Sequence, residues 1–232
     1  MRRKSDRVDP SYVSIPADFI KHHKFVILAA DVMFVCGMPF LISLSRGIKF
    51  VTLQYVPRRT AAELSNAFRN IIALYSRAGY ICQTGLMDGE FKAVKEKLAG
   101  LIEINITAAN EHVPEIERKI CHLKERCRTG KASLPYEVFP NIMIRSLVTY
   151  MTMMLNAHID KEGILQEFSP RELVLRWQLD WGKHCRAPFG AYCVAYDDPT
   201  TTNTMQDRGT EAIYLGPTGN HQGTCKFLSL KT

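Results

Sequence analysis

Phe25-Val26-Ile27-Leu28-Ala29-Ala30-Asp31-Val32-Met33-Phe34-Val35 is an unbroken apolar run with a single charge inside it. A run of this kind, bounded by turn residues, reads as a strand buried on both faces. Cys36-Gly37-Met38-Pro39 follows as a turn signal, and Phe40-Leu41-Ile42-Ser43-Leu44 resumes as a second strand. Ser45-Arg46-Gly47 turns the chain again, into residues 48–55, whose alternation suits a half-buried third strand. Three strands joined by short turns make an antiparallel meander.

Further along, Thr60-Ala61-Ala62-Glu63 has the form of a capping box, in which hydroxyl and carboxylate each satisfy a free amide at a helix start. Leu64, Phe68, Ile71, Ile72 and Tyr75 continue at helical spacing up to Gly79. A fourth strand begins at Tyr80-Ile81-Cys82 and runs out at Met87-Asp88-Gly89, residues 91–98 suit a short helix, and residues 101–106 alternate as a fifth strand. Pro114 opens a long helix at its favoured first position, with Ile116, Ile120, Leu123 and Cys127 as the apolar stripe, and another helix is expected over residues 138–158. A meander followed by alternating helices and parallel strands is a mixed five-stranded α/β sheet flanked by helices, the plan of the ribonuclease-H-like fold.

The last part of the chain differs in texture. Ser169-Pro170-Arg171-Glu172 is a second capping box, opening a short helix to about Gln178. Short candidate strands over 191–195, 212–215 and 225–230 are separated by Asp197-Asp198-Pro199 and by Gly216-Pro217-Thr218-Gly219-Asn220, which suggests a small β-barrel. The expected organisation is a tail over 1–18, a core over 19–160, a helical linker over 161–183 and the β-module over 184–232. Trp177 and Trp181 read as core anchors of that module.

Across the 232 residues, 46% are hydrophobic and 23% charged, which argues against general disorder. Thirty Lys and Arg against 23 Asp and Glu leave a net charge of +7, favouring a polyanionic partner. Nucleic acid is preferred to a membrane, because no stretch reaches the ~18 uncharged apolar residues of a spanning helix. Met1-Arg2-Arg3-Lys4 leads into Asp6, Arg7 and Asp9 rather than an apolar run, so the expectation is an intracellular, soluble protein. Seven widely spaced cysteines without a Cys-x-x-Cys pair read as reduced thiols, not zinc ligands, and His22-His23 reads as a solvated turn.

Asp31 most needs explaining. A carboxylate inside a buried strand must be paired, protonated or bound to a cation, and no Lys or Arg lies within the run. In the sheet deduced above, the first and fourth strands are neighbours, which brings Asp88 beside it. Glu115 and Glu117 lie in the first turn of the long helix, and Glu117, next to the stripe residue Ile116, can point along the sheet edge. Two aspartates and a glutamate from distant sequence form a hard oxygen set suited to Mg²⁺ or Mn²⁺, able to activate a water or a DNA 3′-hydroxyl for phosphodiester displacement. Each also has a plainer reading: Asp88 as the cap of a short helix, Glu117 as a complement to a helix dipole. Arg118, Lys119, Lys124, Arg126, Arg128 and Lys131 continue along the same helix as candidate phosphate contacts. Arg46, Lys49, Arg58 and Arg59 add positive charge without a direction.

These residues carry a resemblance. Asp31, the box Asp88-Gly89-Glu90-Phe91 and Glu117-Arg118-Lys119 resemble, in order, the acidic motifs of the integrase of copia-type long-terminal-repeat retrotransposons, whose core is similar to retroviral integrase. Leu134-Pro135-Tyr136 and Phe168-Ser169-Pro170-Arg171-Glu172 resemble further family phrases. Residues 186–230, with Phe189-Gly190 and Ile213-Tyr214-Leu215-Gly216, resemble the SH3-like module that follows the core. The box lacks the family's Asn-Gly after its aspartate, and the spacing from Asp88 to Glu117 is shorter than usual. The resemblance implies a Mg²⁺- or Mn²⁺-dependent polynucleotidyl transferase with Asp31, Asp88 and Glu117 as catalytic metal ligands. It implies double-stranded DNA as partner, a homo-oligomer, a place in a larger gag–pol polyprotein, and work in the nucleus with a cytoplasmic particle as the other location. The alternatives are a catalytically inactive DNA-binding remnant and a nuclease on RNA–DNA hybrids, both with the same fold.

Overall fold

The computed structural model describes residues 11–107, 113–196, 205, 208–220 and 222–231. The first ten residues, with their basic start, and the Asp197-Asp198-Pro199 turn lie outside the described residues. Strand β1 (Phe25–Val35) is the centre of a five-stranded sheet of order β3-β2-β1-β4-β5, with β2 (Met38–Ser45), β3 (Val51–Tyr55), β4 (Ile81–Met87) and β5 (Glu103–Ile106). β2 and β3 run antiparallel to their neighbours, whereas β4 and β5 run parallel to β1 and β4. This is the ribonuclease-H-like order, and β1 is apolar apart from Asp31 because it has a strand on either side and helices over both faces.

The β1–β2 turn is tighter than the sequence suggested. Cys36 and Gly37, at φ of 49° and 77°, form a two-residue hairpin turn, so Met38 and Pro39 already belong to β2, opposite Val35 and Phe34. β3 starts at Val51 rather than at 48, because Phe50 N–H is taken by the Ser45 hydroxyl and both backbone groups of Val51 are bound by the side-chain amide of Asn156, at 2.8 and 2.7 Å.

Helix α1 (Ala17–His22) precedes β1, and α2 (Ala61–Arg77) crosses from β3 to β4. Thr60 caps α2 by accepting from Glu63 N–H at 3.3 Å, but the Glu63 carboxylate accepts from Arg58 N–H instead of returning to Thr60, so only half of the expected box forms. A 3₁₀ turn (Gly89–Phe91), α3 (Lys92–Lys95) and a second 3₁₀ turn (Glu96–Leu98) make the next crossover. Phe68, Ile71, Phe91, Val94 and Leu98 pack on the face of β1 formed by Val26, Leu28, Ala30 and Val32. Helices α4 (Pro114–Ala132) and α5 (Asn141–Ala157) cover the opposite face, where Ala29 and Met33 meet Ile116, Ile120, Leu123, Leu147 and Val148. No helix among the described residues is long and apolar enough to cross a membrane.

Beyond α5 come α6 (Pro170–Leu175) and α7 (Trp181–His184). The Ser169–Glu172 capping box forms in both directions. α6 stops at Leu175, short of Gln178, because Arg176 adopts a left-handed conformation (φ 64°) and sends its guanidinium to the Ala78 carbonyl. Val13 and Gln178 exchange backbone bonds with Arg176 and Ser11, so residues 11–13 lie against this segment.

The C-terminal module is a three-stranded antiparallel sheet among the described residues, β6 (Tyr192–Tyr196), β7 (Gly209–Pro217) and β8 (Cys225–Ser229), in place of the expected barrel. It does not bury its apolar side against itself. Phe189, Ile213 and Leu215 join the core formed by α4, α5 and the large sheet. Gly190, at φ 81°, permits this approach: a Cβ there would stand 2.5 Å from the Leu134 side chain. Of the two tryptophans expected as core anchors, Trp177 is buried and Trp181 is not. Trp177 is buried beneath Arg171, and Trp181 is 46% exposed, stacked on His158. All seven cysteines are free thiols, as expected.

Candidate active site

Asp31 stands opposite Ile42 of β2 and two residues past Ala29, whose parallel partner is Leu86 of β4. Asp88 lies two residues past Leu86. The register therefore carries the two aspartates to adjacent places at the carboxyl end of β4, where open α/β sheets present their ligand crevices. Alternation puts both on the side facing α4, since Ala29, Met33 and Leu86 pack there. Glu117 arrives from the first turn of α4, flanked by the buried Ile116, which packs in the same core as Ala29 and Met33. Pro114 starts that helix at N1, and the first turn carries two carboxylates, Glu115 and Glu117, whose charge complements the helix dipole.

The acids share one electric field. Burial raises the pKa of Asp31 above its ordinary 3.8. The Val32 amide, donating to Oδ1 at 2.6 Å, lowers it, and the charges of Asp88, Glu90 and Glu117 raise it again. No Lys or Arg of the described residues is ion-paired with Asp31. The donor chemistry suits a hard divalent cation: carboxylates only, one of them half-buried and loaded by its neighbours' charge. The spacing is more open than the sequence implied, for no three His, Cys, Asp or Glu side chains among the described residues are grouped so as to hold a metal ion. Nearer partners draw the oxygens apart. Asp31 turns to Val32 N–H, Asp88 caps the 3₁₀ turn by accepting from Glu90 N–H at 3.0 Å, and Glu90 is ion-paired to Arg59. The helix-capping role of Asp88 is thus realised, and its charge acts on Asp31.

The cations of α4 divide around its buried stripe. At 100° per residue, Glu117, Lys124, Arg128 and Lys131 fall on one flank, Lys119 and Arg126 on the other, and Arg118 on the outer surface. Lys124, Arg128 and Lys131 line a hollow of about 230 Å³ together with Phe34 and Cys36 of the β1–β2 hairpin and Phe139. Lys131 Nζ lies 5.3 Å from the Phe139 ring centre. This flank continues directly from the acidic face. On the other flank only Lys119 is tied, among the described residues, to another part of the fold, while the exposed Arg126 and Arg118 make bonds within the helix. Lys119 pairs with Asp160 at 3.3 Å, Arg126 Nε bonds His122 Nε2 at 3.0 Å, and Arg118 Nε donates to the Pro114 carbonyl at 3.4 Å. Burial, Arg126 and Lys119 lower the His122 pKa. Arg46 and Lys49 are likewise committed, to Glu115 at 2.7 Å and Glu162 at 3.6 Å.

Two participants escaped the sequence reading. Glu90 is a fourth carboxylate in the field of Asp31, and the Asp-Gly-Glu spacing, one tight turn, was its available signal. Arg59 restrains Glu90 while lying 5.0 Å over the Phe34 ring, a placement with no local sequence signal.

No protein-family model matches the chain, and no curated protein matches it. Among solved structures it is similar to the catalytic core domain of HTLV-2 integrase in complex with magnesium, with a TM-score of 0.48 and 14% identity over 64% of this chain and 95% of that one. It is similar also to the catalytic core domain of BIV integrase, with a TM-score of 0.44 and 13% identity over 64% of this chain and 93% of that one. The assignment of the ribonuclease-H-like fold rests on the strand order and directions of the sheet itself.

Proposed function

We propose that this chain is a DNA integrase core of the copia retrotransposon kind, carrying out 3′-end processing and strand transfer on double-stranded DNA. On this reading Asp31, Asp88 and Glu117 form its acidic set for Mg²⁺ or Mn²⁺, and the C-terminal sheet is the counterpart of that family's SH3-like module. On this reading the protein acts as a homo-oligomer in the nucleus and is made within a larger polyprotein. The supporting observation is Asp31: a half-buried carboxylate on the central strand, without a cationic partner among the described residues, in the field of three further carboxylates.

A bound divalent cation supplies Lewis acidity to an in-line phosphodiester displacement. The chain supplies the rest. Asp31 within β1 and Asp88 just past the end of β4 hold negative charge on the two parallel strands, and Glu117 adds a third carboxylate from a helix packed on the same face. Arg59 keeps Glu90 engaged outside that set. Lys124, Arg128 and Lys131 extend the site along α4 as phosphate contacts that fix the strand's position without reading its bases.

Strand transfer by the full chain with an oligonucleotide end tests this. Asp31→Asn and Glu117→Gln each lower the rate by roughly a hundredfold or more, the scale of losing one preorganised electrostatic group. Equal rates in wild type and Asp31→Asn end the enzymatic reading. The second reading is a DNA-docking scaffold of the same fold, favoured by the open spacing of the acids. It requires DNA binding that is indifferent to Mg²⁺ and to Glu117→Gln.

A further inference from the structure

Arg171 is 4% exposed, yet no carboxylate among the described residues is ion-paired with it, and its Nε and Nη2 have no hydrogen-bond partner. Its guanidinium lies over the ring of Trp177, 4.0 Å from the centroid. A ring face offsets only part of the desolvation of a cation, and a buried charge persists when a counter-charge is supplied. Burial here is deep enough to draw the guanidinium pKa down to about 10. The same arginine lines a cavity of about 320 Å³ between β3, α2, α5 and the C-terminal sheet. Its walls combine apolar groups (Leu53, Leu74, Met153) with neutral donors and acceptors (Gln54, Asn70, Thr152), and no Asp or Glu among the described residues lines it. A second hollow of about 430 Å³ shares Ser146, Thr149, Leu215 and Lys226 with the first and adds Arg145, again without an acid among the described residues. Cations thus mark both the inner wall and the approach, in a concavity of the size and mixed lining that small ligands occupy.

We infer that this cavity binds a small organic anion, its phosphate or carboxylate head at Arg171 and its apolar body against Leu53, Leu74 and Met153, entering past Arg145 and Lys226. A guanidinium offers a forked pair of donors that both head groups accept, and because Nε and Nη2 are covered in this structure, seating the head group requires the Arg171 side chain to turn from Trp177 toward the cavity. The site is separate from the Asp31 face and does not depend on the integrase reading.

The test uses the full chain with three probes at equal ionic strength: phenyl phosphate, phenylacetate and inorganic phosphate. An organic anion raises the melting temperature by roughly 2–4 °C at saturation, as a ligand of the native state does. In Trp181→Phe, which leaves Trp177 as the reporter beside Arg171, it changes the fluorescence saturably. Arg171→Met, which keeps the aliphatic stem, abolishes both responses. Thr149→Trp, at an exposed position shared by the two hollows, blocks entry without touching the buried charge and decides the matter if Arg171→Met does not fold. A stronger response to phenyl phosphate assigns a phosphate head, and the reverse assigns a carboxylate. The inference is overturned if no probe produces a response, if Thr149→Trp retains it in full, or if inorganic phosphate or chloride matches the organic anions.

Discussion

At the scale of one residue, Asp31 links stability to function through its charge. Its pKa is raised in the folded state by burial and by three neighbouring carboxylates, so ionisation disfavours the fold. Below the ordinary value of 3.8 the group is neutral in both states and costs nothing. As pH rises through the folded pKa, the folded state is penalised. In metal-free protein the wild type therefore loses stability relative to Asp31→Asn as pH is raised from about 4 to 7. At pH 7 the variant melts higher, by roughly 2 °C, the trade of stability for function seen where active sites carry strain. Adding Mg²⁺ raises the melting temperature of the wild type and leaves the variant unmoved. Thermal melts across pH in chelator and in Mg²⁺ check both. A wild-type curve parallel to that of the variant contradicts the field drawn here. The need for a partner at Asp31 was legible in the sequence, because one charge interrupts a run of apolar side chains. The intervention of Val32 N–H and of Glu90 was not, since it depends on where oxygens turn after the strand has formed.

At the scale of the element, α4 was legible in its start, its stripe and its length, because Pro114 and the 3.6-residue spacing of Ile116, Ile120, Leu123 and Cys127 are local. Its six candidate phosphate contacts looked equivalent along the chain and are not so in space. Charge reversal of Lys124, Arg128 and Lys131 together removes about three units from the slope of log affinity against log salt for DNA. Reversing Arg118, Lys119 and Arg126 leaves that slope nearly unchanged, and lowers stability by breaking the Lys119–Asp160 and Arg126–His122 contacts. Salt-dependent binding of the two triple variants measures the difference. An equal loss of slope in both assigns the whole helix to DNA.

At the scale of the molecule, the two sheets share a core. Ile213 and Leu215 of β7 pack in one cluster with Met33 of β1, Ile120 of α4 and Leu147 of α5. Ile213→Ala is expected to cost about 2–4 kcal/mol and to lower the melting of both sheets in a single cooperative transition. Calorimetry of the full chain checks it, and two separate transitions would show that the C-terminal sheet folds alone. The division into a core and a small appended barrel was a natural reading of composition, since Gly, Pro and Asp cluster between short strands there. Nothing local in Ile213-Tyr214-Leu215 says that its partner is a helix some sixty residues earlier.

By itself the sequence determined the central strand, the order of strands and helices, and the acids that need explaining, because periodicity, turn residues and a charge in an apolar run are properties of neighbours in the chain. Only the tertiary structure decided which cations of α4 lie beside the hairpin hollow, where the C-terminal sheet spends its apolar face, and that Arg171 is buried beside a cavity with no acid among the described residues to meet it. Those outcomes depend on distances between segments far apart in the chain, and a local pattern carries no information about such distances.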